Sequence, residues 1–327
     1  MLKLTFVTAL AALTTTAGAY AHGATTAPTP SPTKGVVLVE TNLAYENAQA
    51  AGTGIVLTSN GEVVTNNHVI RGATTINVVV PSTHKTYTAS VVGYDIGDDV
   101  ALLKLNNASK LATATIGNSA KVAYGQFARA VGNAHGGGKL VITTGKITGV
   151  GKSITVQNDD GTTAQLTGLV QTSAKLVPGD SGGPLLNAKG QVIAIDAAGS
   201  PNYQFEASDG YAIPINKAIA LTKQMQAGKA SALVHIGKTA FLGVSVAQNQ
   251  AGQLAIASLV PGGAAEAAGL EQGDVITAVD GAAIATLVDL RNALFAHHPG
   301  DTITVGYVDG FGNQAQATIT LADGPPQ

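Results

Sequence analysis

From residue 35 onward the hydrophobic positions fall in short runs separated by Gly, Asn and Asp. The runs GVVLVET, GTGIVLTS, EVVTNNHVI, TINVVV, YTASVVGY, DVALLKL and KVAYGQFARAVG follow one another at short intervals. KLVITTGKITGV, SITVQ, LTGLVQTS, GPLLN and QVIAIDAAG continue the series to about residue 199. Many short β-type runs with turn residues between them, and no long amphipathic helix, predict an all-β barrel or sandwich. The first segment with a helical pattern is Asn216 to about Ala227 (NKAIALTKQMQA), which closes a unit spanning residues 35–227. A Gly/Ala/Ser-rich stretch, residues 228–237, predicts a linker. A second unit, residues 238–323, mixes strands (FLGVSVA, DVITAVDG, TITVGYV, QATITLA) with helices at Ala264–Ala268 and Leu287 to about Ala296, an α+β pattern.

The pattern ahead of residue 35 is different in kind. Lys3 precedes an apolar, Thr-diluted run from Leu4 to about Gly18, and Ala19-Tyr20-Ala21 places small residues where a signal peptidase needs them. Residues 1–21 therefore read as a cleavable signal peptide, since the run falls short of the ~20 apolar residues of a spanning helix. Residues 22–34, rich in Gly, Thr, Ser and Pro, read as a flexible spacer. These readings predict a secreted or cell-envelope (periplasmic) protein with no membrane span after cleavage.

Composition narrows the chemistry. The chain has 327 residues, enough for two cores, with 45% hydrophobic and 12% charged residues. A net charge of −2, with Lys and Arg scattered, supplies no field for nucleic acid. The absence of cysteine excludes disulfides, a thiol nucleophile and thiolate metal sites. No His/Asp/Glu cluster has metal-ligand spacing, so neither metal nor cofactor is expected. The run Gly149-Val150-Gly151-Lys152-Ser153 echoes a phosphate-binding loop, but Lys146 stands where the first glycine is needed. Asn107-Ala108-Ser109 is a glycosylation sequon of the kind expected by chance.

The strongest motif is Gly179-Asp180-Ser181-Gly182-Gly183-Pro184. A serine hydroxyl needs a base to take its proton and donors to hold the oxyanion that then forms. Flanking glycines let the chain turn sharply and aim amides inward. Gly179, Asp180 and Ser181 form the candidate oxyanion hole, with the amides of Gly179 and Ser181 as the expected donors. Among the histidines, His68 lies in TNNHVI directly after a predicted strand, whereas His22, His84, His135, His297 and His298 lie in the spacer, in loops or in the second unit. Asp98 and Asp99 both precede the strand VALL. Successive side chains there point to opposite sides, so only one can orient the histidine, and the residues alone leave the choice open. The chain order His, Asp, Ser is that of chymotrypsin.

AGTGIVLTSNGEVVTNNHVI, GYDIGDDVALLKL, AVGN, TTGKITGVG, PGDSGGPLLNAKGQVIAI and GYAIPIN, in that order, resemble the successive signatures of the HtrA (Deg) family of serine proteases. The resemblance implies a mainly β protein with a chymotrypsin-like double six-stranded β-barrel and a triad of His68, Asp99 and Ser181. It selects Asp99 because the family's aspartate directly precedes the V/I-A-L-L strand. Two features depart from the family: Ser173-Ala174-Lys175-Leu176-Val177 replaces an Asp-Ala-Ala/Pro-Ile-Asn run, and the long regulatory loop of some relatives before His68 is missing. By likeness to chymotrypsin topology, Lys175, Ala197, Ala198, Ala212 and Ile213 border the specificity pocket. Its small apolar walls predict cleavage after Val, Ala or Ile; cleavage after Arg or Lys would instead point to Asp196 or Asp209.

Phe241-Leu242-Gly243-Val244 resembles the carboxylate-binding loop of PDZ domains, and VPGGAA with AGLEQGDVI completes a bacterial PDZ pattern. The resemblance implies that loop amides receive a peptide's C-terminal carboxylate, that the strand from Val244 pairs with the peptide, and that the helix carrying Leu290 forms the other wall. The expected partners are polypeptide substrates and C-terminal peptides, with homo-oligomers known in the family. The expected function is quality-control cleavage of unfolded or damaged proteins. A PDZ-bearing chaperone or scaffold with vestigial catalysis is the alternative.

Overall fold

The computed structural model describes residues 31–157, 163–197 and 210–327. The predicted signal peptide and most of the spacer, together with Ala198 and Asp209, lie outside the described residues. Six strands build a first barrel: β1 (Val36–Leu43), β2 (Ala48–Val56), β3 (Glu62–Thr65), β4 (Thr75–Val80), β5 (Lys85–Asp95) and β6 (Val100–Leu105). They run in the order β5-β4-β1-β2-β3-β6, and a β5–β6 ladder closes the ring. A single helical turn, α1 (Asn67–Ile70), follows β3. The second barrel is closed by β7 (Phe127–Gly132), β8 (Val141–Gln157), β9 (Thr163–Thr172), β10 (Pro184–Leu186), β11 (Val192–Asp196) and β12 (Gly210–Pro214), in the order β10-β11-β12-β9-β8-β7. The mainly β class, the paired six-stranded barrels and the α+β second unit are as the sequence led one to expect.

The near-continuous apolar runs follow from burial on both faces of the strands. In β1, Val37 and Val39 enter the core of the first barrel, while Val36 faces a second core between the barrels. In β2 and β3, Ile55 and Val64 take the shared core and Val56 and Val63 the barrel interior. Each such side chain contributes about 1.5–3 kcal/mol by leaving water. Helix α2 (Ile215–Gln226) lies on this shared core and buries Ile215, Ala218, Thr222 and Met225, a three-four spacing that makes one stripe.

The stretch expected as a linker, 228–237, contains β13 (Val234–Ile236), which pairs with β5 in the register His235↔Tyr94 and extends the first sheet. Composition hid this strand, because Gly, Ala and Ser lie around the three residues Val-His-Ile. His235 is buried between domains: its ring nitrogens lie 3.1 Å from the Phe295 carbonyl and 3.0 Å from that of Lys238.

The C-terminal unit starts with β14 (Thr239–Phe241), β15 (Val244–Gln248) and β16 (Leu254–Leu259), then the turn of helix α3 (Ala264–Ala267). β17 (Val275–Val279), β18 (Ala282–Ala283), α4 (Leu287–Phe295), β19 (Thr302–Val308), β20 (Gln314–Thr320) and β21 (Ala322–Gly324) complete it. Thr286 and Asp289 cap α4 reciprocally: Asp289 N–H donates to Thr286 Oγ1 at 3.1 Å and Thr286 N–H to Asp289 Oδ2 at 2.9 Å. β15 is an edge strand of its sheet. Beyond β21 the chain runs back to the first barrel, where Gly72 N–H donates to the Pro326 carbonyl and Asn67 Nδ2 to that of Gln327, both at 2.9 Å.

Candidate active site

Helix α1 begins immediately after β3 and carries His68 to the mouth of the groove between the barrels. Two hydrogen bonds fix it to Asp99. His68 N–H donates to Asp99 Oδ1 at 2.8 Å, and the ring Nδ1 lies 2.7 Å from Oδ2. A carboxylate only accepts, so Nδ1 carries the hydrogen and Nε2 is left as the base. Asp99 itself adopts a left-handed backbone (φ 55°), uncommon for a residue with a Cβ, and Asn66 Nδ2 holds its carbonyl at 2.9 Å. Asp98 faces away and pairs with Lys217 Nζ on α2 at 2.7 Å. The turn between β5 and β6, with Asp99 in the left-handed region, thus separates the two aspartates that sequence order could not.

Ser181 lies on the opposite side of the same cleft, which has a volume of about 730 Å³. The loop before it is a β-turn closed by Asp180 N–H donating to the Val177 carbonyl at 3.0 Å, with Pro178 and Gly179 at the corners. Gly179 has φ +95°, which with the preceding proline identifies a type II turn. A Cβ there would stand 2.1 Å from the Asn133 carbonyl oxygen, so only glycine fits. His135 N–H donates to the Pro178 carbonyl at 2.6 Å. In a trans peptide the Gly179 N–H then points the opposite way. Among the described residues neither the Gly179 nor the Ser181 amide donates within the protein. Asp180, expected as part of the oxyanion hole, does not contribute a donor because its amide is consumed in closing the turn.

Thr53, on β2, braces this loop from below. Its Oγ1 donates to the Gly179 carbonyl at 2.7 Å and accepts from Asn133 N–H at 2.9 Å, while its own N–H donates to the Ser181 carbonyl at 2.8 Å. Thr53 was not singled out from the sequence; a threonine between glycines inside an apolar strand was the available signal. Asp180 sends Oδ2 back to Val177 N–H at 2.9 Å. Burial pushes its carboxyl up to about 6, against the pull of that N–H and of nearby His135. Asp196 is fully buried, and burial followed by the Asp180 charge holds its carboxyl well above the usual range.

The expected pocket residues separate. β12 pairs with β11 in the register Asp196↔Ala212 and Ile195↔Ile213. Ala212 packs with Val170, Ala174 and Ala194 in the interior of the second barrel, whereas Ala197 and Ile213 belong to the shared core on the other face. Strand alternation therefore removes Ala197 and Ile213 from the barrel interior. Lys175 is exposed, with Thr143 Oγ1 donating to its carbonyl at 3.1 Å.

In the C-terminal unit Leu242 and Leu290 are core residues, 2% and 4% exposed, so their role in any groove is to shape it from beneath. Gly243 has φ +81°, and among the described residues the amides of Leu242 and Gly243 donate to no protein group. Phe241 stacks on Tyr45 of the first barrel. Val244, at the start of the edge strand, and Leu287, at the start of α4, line the same cleft as His68 and Ser181. The described residues contain no metal-ligand cluster, and no described helix is long and apolar enough to cross a membrane.

Comparison with known proteins agrees with this architecture. Residues 52–195 match the trypsin-like peptidase domain family and residues 240–320 the PDZ domain family. The serine protease Do-like HtrA of Lactococcus lactis subsp. lactis is 32% identical over 288 residues, covering 82% of this chain and 70% of that protein. The periplasmic pH-dependent serine endoprotease DegQ of Escherichia coli is 32% identical over 287 residues, covering 84% and 59%. Among solved structures, the HtrA-type protease AlgW with tripeptide superposes with a TM-score of 0.52 at 26% identity, covering 90% of this chain and 95% of that one.

Proposed function

The chain belongs to the HtrA family of serine endopeptidases and carries one PDZ domain; from that premise we propose that it is an exported enzyme cutting unfolded or damaged polypeptides through His68, Asp99 and Ser181. The observation that carries this reading is the double contact from Asp99 to His68, in one cleft with Ser181 and two inward-directed amides. His68 Nε2 takes the Ser181 proton as Oγ attacks the scissile carbonyl. The amides of Gly179 and Ser181 receive the oxyanion. His68 then gives the proton to the leaving amine, and water repeats the sequence on the acyl-enzyme. Loss of one oxyanion donor in such a site removes about 3 kcal/mol of transition-state stabilisation.

The edge strand β15 and the loop 241–244 fit capture of a C-terminal peptide by strand addition. Because Val244 and Leu287 border the catalytic cleft, a captured chain lies beside the nucleophile, which raises its local concentration there. The apolar run before residue 22 and the periplasmic location in the names of relatives such as DegQ support export.

The test is labelling by a fluorophosphonate together with cleavage of casein. Wild type should label and cut, and Ser181→Ala should do neither. A wild-type protein that binds unfolded chains but neither labels nor cuts would establish the scaffold alternative.

A further inference from the structure

The segment that follows the PDZ core comes to rest on the turn that carries His68. β21 pairs with β14 in the register Phe241↔Ala322 and Thr239↔Gly324. Beyond it, Pro325 and Pro326 take the chain across to α1 in the first barrel. Asn67, the first residue of α1, donates its Nδ2 hydrogen to the Gln327 carbonyl at 2.9 Å. Gly72, just past the end of α1, donates its N–H to the Pro326 carbonyl, also at 2.9 Å. Residues 326 and 327 therefore hold both ends of the turn, and they border the cleft that contains His68 and Ser181.

A helix of four residues has little stability of its own, because nucleation fixes several residues for one hydrogen bond. In α1 that bond runs from Arg71 N–H to the Asn67 carbonyl at 2.9 Å. The place of the turn depends instead on what grips it from outside. On one side Asp99 engages the backbone and ring of His68, and Asn66 holds the Asp99 carbonyl. On the other side the grip comes from residues 326 and 327, which another domain supplies. Pro326 is buried, and the two prolines fix φ and offer carbonyls without N–H groups, so this segment is stiff and meets α1 as an acceptor. Its root is secured as well, since the hydroxyls of Tyr94 on β5 and Thr239 on β14 lie 3.1 Å apart.

We propose, on the reading of His68 as the general base, that Asn67, Pro326 and Gln327 are positioning residues through which the PDZ unit holds His68 in register with Ser181. None of them takes part in the proton transfer. They set the distance over which Nε2 must take the Ser181 proton, and a misplacement of about 1 Å in such a path costs up to about 100-fold in rate. The PDZ unit then serves the chemical step as well as the capture of peptides.

The experiment measures kcat and KM on a casein-derived peptide, the fluorophosphonate labelling rate and the unfolding temperature. The proteins are wild type, Asn67→Ala, a chain lacking only residues 325–327 (which keeps β21 whole) and the double variant. Asn67→Ala should lower kcat and the labelling rate about 10-fold and the deletion up to about 100-fold, with KM within about twofold of wild type. The double variant should lose no more than the deletion alone, because both changes remove the same contact. Asp323→Ala, which breaks the exposed pair with Lys238 on the same segment, should keep the wild-type kcat. If the deletion does not fold, Asn67→Asp carries the test: an acceptor facing the Gln327 carbonyl should cost more kcat than alanine does, and equal rates in the two variants overturn the proposal. A wild-type kcat in Asn67→Ala, losses that multiply in the double variant, or a loss carried by KM also overturns the positioning role, and each leaves the protease standing. Failure of wild type to label or cut overturns both.

Discussion

The ring of Tyr45 stacks on that of Phe241, with centroids 5.0 Å apart and planes 27° from parallel. Tyr45 belongs to the short turn between β1 and β2, and Phe241 ends β14, directly before the loop assigned to carboxylate binding. Phe241 is pressed from behind by Gly324, where an added Cβ would stand 2.3 Å from its own Cβ. Leu43 and Glu46, which flank this turn, border the catalytic cleft. A peptide seated at residues 241–244 is thus one aromatic contact away from the protease domain. Tyr45→Ala should remove about 1 kcal/mol of inter-domain stacking. The effect of a saturating C-terminal peptide on casein cleavage should shrink in the variant. An undiminished peptide response would show that the stack carries no coupling.

The two-point contact between His68 and Asp99 makes a sharper demand. In Asp99→Asn the amide oxygen can still accept from His68 N–H, but the amide nitrogen cannot accept from Nδ1–H. The imidazole then favours the wrong tautomer, and kcat should fall about 10⁴-fold, as in the chymotrypsin-like template, with a nearly normal fold. Asp98→Asn removes only a partly exposed pair with Lys217, which is about a third exposed on each side. It should shift stability by less than about 1 kcal/mol and leave kcat unchanged. Equal losses in the two variants would reverse the assignment.

Thr53→Val tests the brace under the nucleophile. The substitution keeps the shape but strands the Gly179 carbonyl and the Asn133 amide, both bonded to Thr53 Oγ1. Each unmet buried group costs about 1–3 kcal/mol. Thermal unfolding should drop accordingly, and fluorophosphonate labelling should slow, because the carbonyl of Gly179 is no longer anchored. Normal labelling by a destabilised variant would make Thr53 a purely structural residue.

The barrels and the PDZ unit could be read from the chain, and the candidate triad proposed from it, because each leaves a local mark: turn residues between apolar runs, glycines around Ser181, a glycine loop before Val244. β13 left no such mark and Thr53 only its place between two glycines, since their importance comes from partners far along the chain. Thr53 acts on residues 126 positions later, and Val234 pairs with Asp95 across the first domain. The expected pocket residues divide between two faces for a related reason. Ala197, Ala212 and Ile213 are all small or apolar in sequence, and only the pairing of β11 with β12 reveals which face each one takes. Asp180 was grouped with the oxyanion hole by adjacency alone, whereas the turn geometry commits its amide to Val177.

Asp180 also gives the fold a pH dependence whose sign can be stated. Its carboxyl is raised from 3.8 to about 6 in the folded protein, foremost by burial. The folded state therefore binds this proton more tightly than the unfolded chain does. The resulting stabilisation is complete below pH 3.8 and is lost as pH rises through about 6. A shift of that size corresponds to about 3 kcal/mol. Urea unfolding of wild type and Asp180→Asn at about pH 4 and about pH 7 isolates the effect. Wild type should lose stability relative to the variant over that interval. Replacing Asp180 also relieves its repulsion of Asp196, so the double variant Asp180→Asn/Asp196→Asn should flatten the profile further. Parallel stability profiles for all three proteins would show that neither carboxyl is strained by its burial.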